Sequence, residues 1–69
     1  MTKTEKLMDK IDENGIDVYL LAEVLEISYL ELLQKINGER EFLVSEIYTV
    51  AKMLNLSSYE LEDIFLQAV

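Results

Sequence analysis

The sequence predicts an all-α protein, a compact bundle of five helices in a single domain that spans residues 1–69. Three observations support this fold class. Apolar residues recur at spacings of three and four, which is the period of an amphipathic helix. The chain has no Pro, and its two glycines, Gly15 and Gly38, lie where helices should end. Hydrophobic residues make up 51% of the chain, enough for one shared core.

The first two helices are predicted over residues 5–14 and 18–25. Thr4 is expected to cap the first helix, because its hydroxyl could accept a hydrogen bond from a free N–H of the first turn. Asn14 and Gly15 end that helix, with Gly supplying a left-handed residue. Asp17 is expected to cap the second helix in the same way as Thr4 caps the first.

The remaining helices are predicted over residues 29–37, 45–54 and 58–68. Ser28 and Glu31 have the spacing of a capping box, in which each side chain bonds the other residue's backbone N–H. Ser57 and Glu60 repeat this spacing at the start of the last helix.

Such short helices are marginally stable by themselves, so they must bury a shared apolar core. A small residue at Ala22 allows the second and third helices to cross closely. The predicted core comprises Leu7, Ile11, Ile16, Leu21, Ala22, Leu25, Ile27, Leu32, Ile36, Phe42, Ile47, Ala51, Leu54, Leu56, Leu61, Ile64 and Phe65.

The composition argues against an enzyme. The chain has no His and no Cys, and it has no Gly-rich phosphate loop. We therefore expect no catalytic residue, no metal site and no cofactor; Asp9, Asp12 and Glu13 could hold a divalent cation only weakly. No apolar run approaches the roughly 20 residues of a membrane span, and the N-terminus lacks the features of a signal peptide. We expect a soluble, cytoplasmic protein without a small-molecule substrate.

The chain is strongly acidic, with a formal net charge of −8. DNA binding draws much of its free energy from Lys and Arg side chains that displace counterions from phosphates. A chain with this charge is repelled by DNA at long range. Solubility alone is the alternative explanation for such a charge.

Several short segments together resemble the Cro and repressor family of phage-type helix-turn-helix domains, over residues 5–65. They are Leu21-Ala22, Ile27-Ser28, Lys35-Ile36-Asn37-Gly38, Phe42, Ser45-Glu46-Ile47 and Ala51-Lys52. The resemblance implies a five-helix domain whose third helix enters the major groove of DNA.

The sequence departs from that family at two structural positions. Glu26 stands in the turn where the family usually has Gly, so Glu must adopt a geometry that Gly adopts at lower cost. Leu43 stands where the family commonly has Ser or Thr, which would cap the fourth helix and pair with Glu46. Losing that cap costs about 1 kcal/mol unless Ser45 replaces it.

The side of the third helix that would read DNA is largely apolar. Positions 29, 30, 33 and 34 share one arc of that helix, and only Gln34 among them is a plausible base reader. The second helix shows the same bias. Apolar residues without a place in the predicted core are Leu20, Val24, Tyr29, Leu30, Leu33 and Leu43. A contiguous apolar patch with Tyr at its centre is typical of a protein–protein contact surface, although some of these residues could be half-buried.

We therefore predict a protein-interaction module on a repressor-like scaffold, with those six residues binding another protein or a second copy in a homodimer. The apolar residues are confined to one face, and Leu43 and Glu26 stand where the family has a helix cap and a turn Gly. This combination is typical of an engineered interface. A natural acidic antirepressor would look the same. The alternative is a DNA-binding transcriptional regulator of a phage or mobile element. Its DNA contacts would be Tyr29, Gln34, Lys35, Arg40 and Lys52.

Overall fold

The computed structural model describes residues 2–65, and within them the chain forms five α-helices and no strand. In chain order these are α1 (Thr4–Glu13), α2 (Val18–Leu25), α3 (Tyr29–Ile36), α4 (Val44–Met53) and α5 (Ser58–Phe65). The prediction of an all-α, five-helix fold is therefore confirmed. The predicted extension of the fifth helix to position 68 lies outside the described residues.

Two of the predicted helix caps set the boundaries of α2 and α3. The Asp17 carboxylate accepts the Tyr19 N–H at 2.8 Å, and the Ser28 hydroxyl accepts the Glu31 N–H at 3.0 Å. Both bonds satisfy N–H groups that have no partner inside the helix. Because Ser28 begins α3 three residues after α2 ends, the connection between these two helices is short.

The cap predicted for α1 is wrong. Lys3 occupies the N-cap position and its side chain makes no capping bond. The Thr4 hydroxyl instead donates to the backbone carbonyl of Ile36 at 2.7 Å, which ties the start of α1 to the end of α3. At α5 the predicted box is present, with Ser57 and Glu60 exchanging bonds of 2.9 and 3.1 Å.

One apolar core joins all five helices. Helix α1 packs against α3 and α5, α2 packs against α3 and α4, and α4 packs against α5. Phe42 and Phe65 meet edge to face with their ring centres 5.3 Å apart, an arrangement that aromatic quadrupoles favour. The buried core residues are Leu7, Ile11, Leu21, Ala22, Leu32, Ile36, Phe42, Ile47, Val50, Ala51, Leu54, Leu61, Ile64 and Phe65. Four predicted core residues are only half-buried at its edge: Ile16, Leu25, Ile27 and Leu56.

The two ends of the described chain are fastened together. The Lys3 N–H donates to the Ile64 carbonyl at 2.7 Å, and the ammonium groups of Lys3 and Lys6 contact the Asp63 carboxylate at 2.8 and 2.6 Å. These contacts hold α1 and α5 side by side. They leave the outer sides of α2 and α3 without a covering helix in the described part of the chain.

Candidate interaction surface

The outer side of α2 carries exposed apolar side chains. Successive residues turn by 100°, so Tyr19, Leu20, Glu23 and Val24 share an arc of about 140°. Tyr19 is 65% exposed, Leu20 47% and Val24 44%. Leu21 lies on the opposite arc and is buried in the core. Helix α2 is therefore apolar on both its inner and its outer side.

Helix α3 repeats this arrangement. Leu30 is 65% exposed and Tyr29 37%, while Leu33 and Gln34 on the same arc are half-buried. Leu32, which points the other way, is fully buried. The first turn of α3 therefore presents two large apolar side chains to solvent.

A pair of stacked rings joins the two exposed arcs. The ring centres of Tyr19 and Tyr29 lie 4.1 Å apart and their planes differ by only 12°. Partial burial, together with the nearby Tyr19 and Asp17, raises the pKa of the Tyr29 hydroxyl above its ordinary value of 10.0. We call the surface formed by Tyr19, Leu20, Val24, Tyr29 and Leu30 the α2–α3 face.

The turn beneath this face confirms the geometry expected at Glu26. Its φ of 59° and ψ of 39° lie in the left-handed region, where a residue with a Cβ is strained. Its N–H donates to the Glu23 carbonyl at 3.0 Å, and the Ile27 N–H donates to Ala22 at 3.1 Å. These bonds end α2 and direct the chain into α3.

Negative charge surrounds the apolar side chains. Glu23 lies on the same arc of α2 as Leu20 and Val24, Glu26 lies in the turn, and both are exposed. Within residues 2–65 neither carboxylate forms an ion pair. The basic side chains that do form ion pairs bind acids elsewhere: Lys3 and Lys6 bind Asp63, Lys10 binds Glu13 and Glu60, and Lys35 binds Glu31 and Glu46.

Leu43 lies apart from the stacked rings, near the opposite end of α3. It is the N-cap residue of α4 and is 61% exposed. The bond between Lys35 and Glu46 places the start of α4 beside the last turn of α3, about 9 Å along the helix axis from Tyr29. Leu43 itself has no side-chain acceptor, and Glu46 partly compensates by accepting the Leu43 N–H at 2.8 Å.

The residues predicted to contact DNA in the alternative interpretation have different surroundings. Lys35 is 5% exposed and its ammonium lies 2.5 Å from the Glu46 carboxylate, so its charge is paired inside the protein with that of Glu46. Gln34 is half-buried, and Tyr29 is engaged in the ring stack. Arg40 and Lys52 are exposed. The face that would approach a duplex therefore presents little positive charge.

Sequence reasoning missed several exposed apolar residues. Tyr19 was detectable, because it shares the outer arc of α2 with Leu20 and Val24. Val44 and Tyr48, one turn apart on α4, are 57% and 53% exposed, and Tyr59 on α5 is 76% exposed. Tyr48 and Tyr59 lie on predicted helices and Val44 lies one residue before one, but no sequence signal distinguishes an exposed Tyr from a half-buried one.

Two other features are absent from residues 2–65. No group of three or more acidic side chains there is arranged to hold a metal ion, and this includes the acids of α1. No helix in this range is both long and apolar enough to cross a membrane. No protein-family model, curated protein or solved structure shows a significant match to the chain.

Proposed function

We propose that this chain is a protein-interaction module that binds its partner through the α2–α3 face. The exposure of Leu30 and Leu20 around the Tyr19–Tyr29 ring stack carries the proposal. Small soluble proteins rarely expose several large apolar side chains side by side unless the surface contacts something. Aromatic side chains in such a position are typical of binding hot spots. Leu33 and Leu43, half-buried and exposed respectively, would lie towards the margin of the contact.

We further propose that the scaffold is a helix-turn-helix of the Cro and repressor type. The order of α2, a three-residue connection and α3 supports this, as do the buried Ala22 and the left-handed residue at Glu26. On that scaffold α3 occupies the place of a DNA-recognition helix, so the proposed partner would be bound by the surface that relatives would use for DNA.

The proposal is tested by selecting peptides from a displayed library of helical 16-residue sequences with randomised outer positions. We expect enriched peptides to bind the unsubstituted chain and to bind Leu30→Lys at least tenfold more weakly. Tyr59→Lys is the matched control, because it also places a lysine at an exposed apolar position but on α5. Peptides that bind Leu30→Lys as strongly as they bind the unsubstituted chain would overturn the proposal, and so would a selection without enrichment.

A DNA-binding regulator is the alternative that the proposed scaffold favours. Its electrostatics are unfavourable, because Lys35 is buried against Glu46 and the net charge is −8. We expect no change in the fluorescence anisotropy of a labelled duplex at low salt with tens of micromolar protein, about the range in which non-specific binding is usually detectable. Salt-sensitive binding that Arg40→Ala and Lys52→Ala weaken would instead support the regulator.

A further inference from the structure

The α2–α3 face combines apolar side chains with carboxylates that form no ion pair within residues 2–65. Residues 11–34 contain no Lys and no Arg. Glu23 and Glu26 are exposed and form no ion pair within residues 2–65, and Asp17 lies at the start of α2 beside Tyr19. A partner that covers Leu20 and Val24 must therefore come close to these carboxylates.

We infer that the occupant of this face is a basic amphipathic helix of another protein and not a second copy of this chain. This inference rests on the proposed function and adds the chemistry of the partner. In a symmetric dimer built on this face, Asp17, Glu23 and Glu26 of one copy would approach the same three carboxylates of the other. Like charges brought together in this way oppose association, whereas lysines or arginines on the partner would favour it.

The spacing of the apolar side chains suits a helical partner. Leu20 and Val24 are one helical turn apart, about 5–6 Å, which is also the distance between successive apolar side chains along an amphipathic helix. We expect Leu30 to extend this apolar strip onto α3, because the ring of the neighbouring Tyr29 stacks on Tyr19 of α2. The partner's apolar residues would lie along the strip, and its basic residues would lie on both flanks near Glu23 and Glu26.

The ring stack provides a second place for a cation. Tyr19 is 65% exposed, and only one face of its ring is covered by Tyr29. A guanidinium or ammonium group above the free face would gain a cation–π interaction, and the Asp17 carboxylate near the rings would reinforce it. A basic partner thus finds complementary groups at both the centre and the rim of the face.

The test uses the peptides enriched from the helical library described above, in which flanking positions encode Lys, Glu and Gln equally. We expect enriched peptides to carry a net excess of Lys on their flanks. The leading peptide should bind Glu23→Lys/Glu26→Lys about tenfold more weakly than the unsubstituted chain at low salt, because two attractions become repulsions. Asp9→Lys/Asp12→Lys makes the same change in net charge on α1 and should alter binding less than twofold.

The outcomes separate the two proposals. The inference of a basic partner would be overturned by enriched peptides without a basic bias, or by equal effects of the two charge-reversal pairs. In either case the proposed interaction module would stand, provided that Leu30→Lys still weakens binding at least tenfold. Peptides insensitive to Leu30→Lys would overturn both. Light scattering provides the independent check on the second copy. A mass of two chains at high concentration that Leu30→Lys returns to one chain would overturn the inference in favour of a homodimer.

Discussion

Glu26 bears a backbone strain that a single substitution would relieve. At its φ of 59°, a residue with a Cβ has a strain energy of about 1–2 kcal/mol, and Gly has no such strain. Gly also loses more conformational entropy on folding, by up to about 1 kcal/mol. We expect Glu26→Gly to raise the free energy of unfolding by about 0.5–1 kcal/mol, measured by denaturant titration.

Asn55 offers the matched control for this substitution, because it also has a positive φ, of 54°. Asn adopts the left-handed region more readily than Glu does, so Asn55→Gly should stabilise the fold less. If Glu26→Gly destabilised the protein, the Glu26 side chain would have to contribute a contact that outweighs its backbone strain.

Lys35 shows how burial changes the role that a residue type suggests. A lysine near the end of a possible recognition helix looks like a phosphate contact, but this one is buried with Glu46, and their side chains are 6% and 9% exposed. Lys35→Met would leave the Glu46 carboxylate buried without its cation. We expect a loss of about 3 kcal/mol in the free energy of unfolding, visible as a lower midpoint in thermal or denaturant unfolding.

Two further variants decide whether the buried charge is the cause. Lys35→Met/Glu46→Leu removes both charges and should recover much of the lost stability. Glu31→Gln removes only the weaker contact, at 3.5 Å and more exposed, and should cost less than about 1 kcal/mol. Full stability in Lys35→Met would contradict an energetic role for the ion pair.

Among the elements, α4 begins without a side-chain cap. Glu46 already accepts the Leu43 N–H at 2.8 Å, which is one half of a capping box. Leu43→Ser would supply the other half by accepting the N–H of residue 46. We expect it to stabilise the fold by about 1 kcal/mol in denaturant titration. Leu43→Ala is the control and should change stability little, because the leucine side chain is 61% exposed.

The helix boundaries that fall within residues 2–65 were predictable to within one residue, because periodicity and caps are local. Asp17, Ser28 and Ser57 each begin a helix where the sequence indicated. Thr4 does not cap α1, because its hydroxyl donates a hydrogen bond to the Ile36 carbonyl, an acceptor 32 residues away along the chain. Such a long-range bond leaves no trace in the neighbouring sequence.

The candidate surface was predictable in part. Helical periodicity placed Leu20, Val24, Tyr29 and Leu30 outside the core, and the structure exposes all four. It could not separate Leu43 from the others, because the distance of Leu43 from the ring stack depends on how α4 is placed relative to α3, which is a tertiary property. The ring stack could not be predicted from the sequence either, because Tyr19 and Tyr29 belong to different helices and the relative placement of these helices is a tertiary property.

At the scale of the whole molecule, Asp63 joins α5 to the start of α1 by binding the ammonium groups of Lys3 and Lys6. The hydrogen bond from Lys3, and then that from Lys6, lowers the pKa of the Asp63 carboxyl below its ordinary value of 3.8. The stabilisation is therefore complete above that value and is lost as pH falls through the lower pKa of the folded state. We expect Asp63→Asn to be less stable than the unsubstituted chain near neutral pH, with the difference in stability shrinking below about pH 3.8.

Chemical unfolding of the two proteins across a series of acid pH values measures this difference. The three side chains are partly exposed to solvent, so high salt should also reduce it by screening the ion pairs. A difference that is independent of both pH and salt would show that Asp63 acts through packing and not through its charge.

The stacked rings give the molecule a built-in spectroscopic reporter. Protons held over a neighbouring aromatic ring resonate upfield. The chain has only four tyrosines, two phenylalanines and no tryptophan, so its aromatic proton signals are few. Since Tyr19 and Tyr29 belong to different helices, their shifted signals exist only while the intervening turn is folded. A proton NMR spectrum of the unlabelled protein should therefore report both the local unfolding of that turn and the binding of a ligand to the rings.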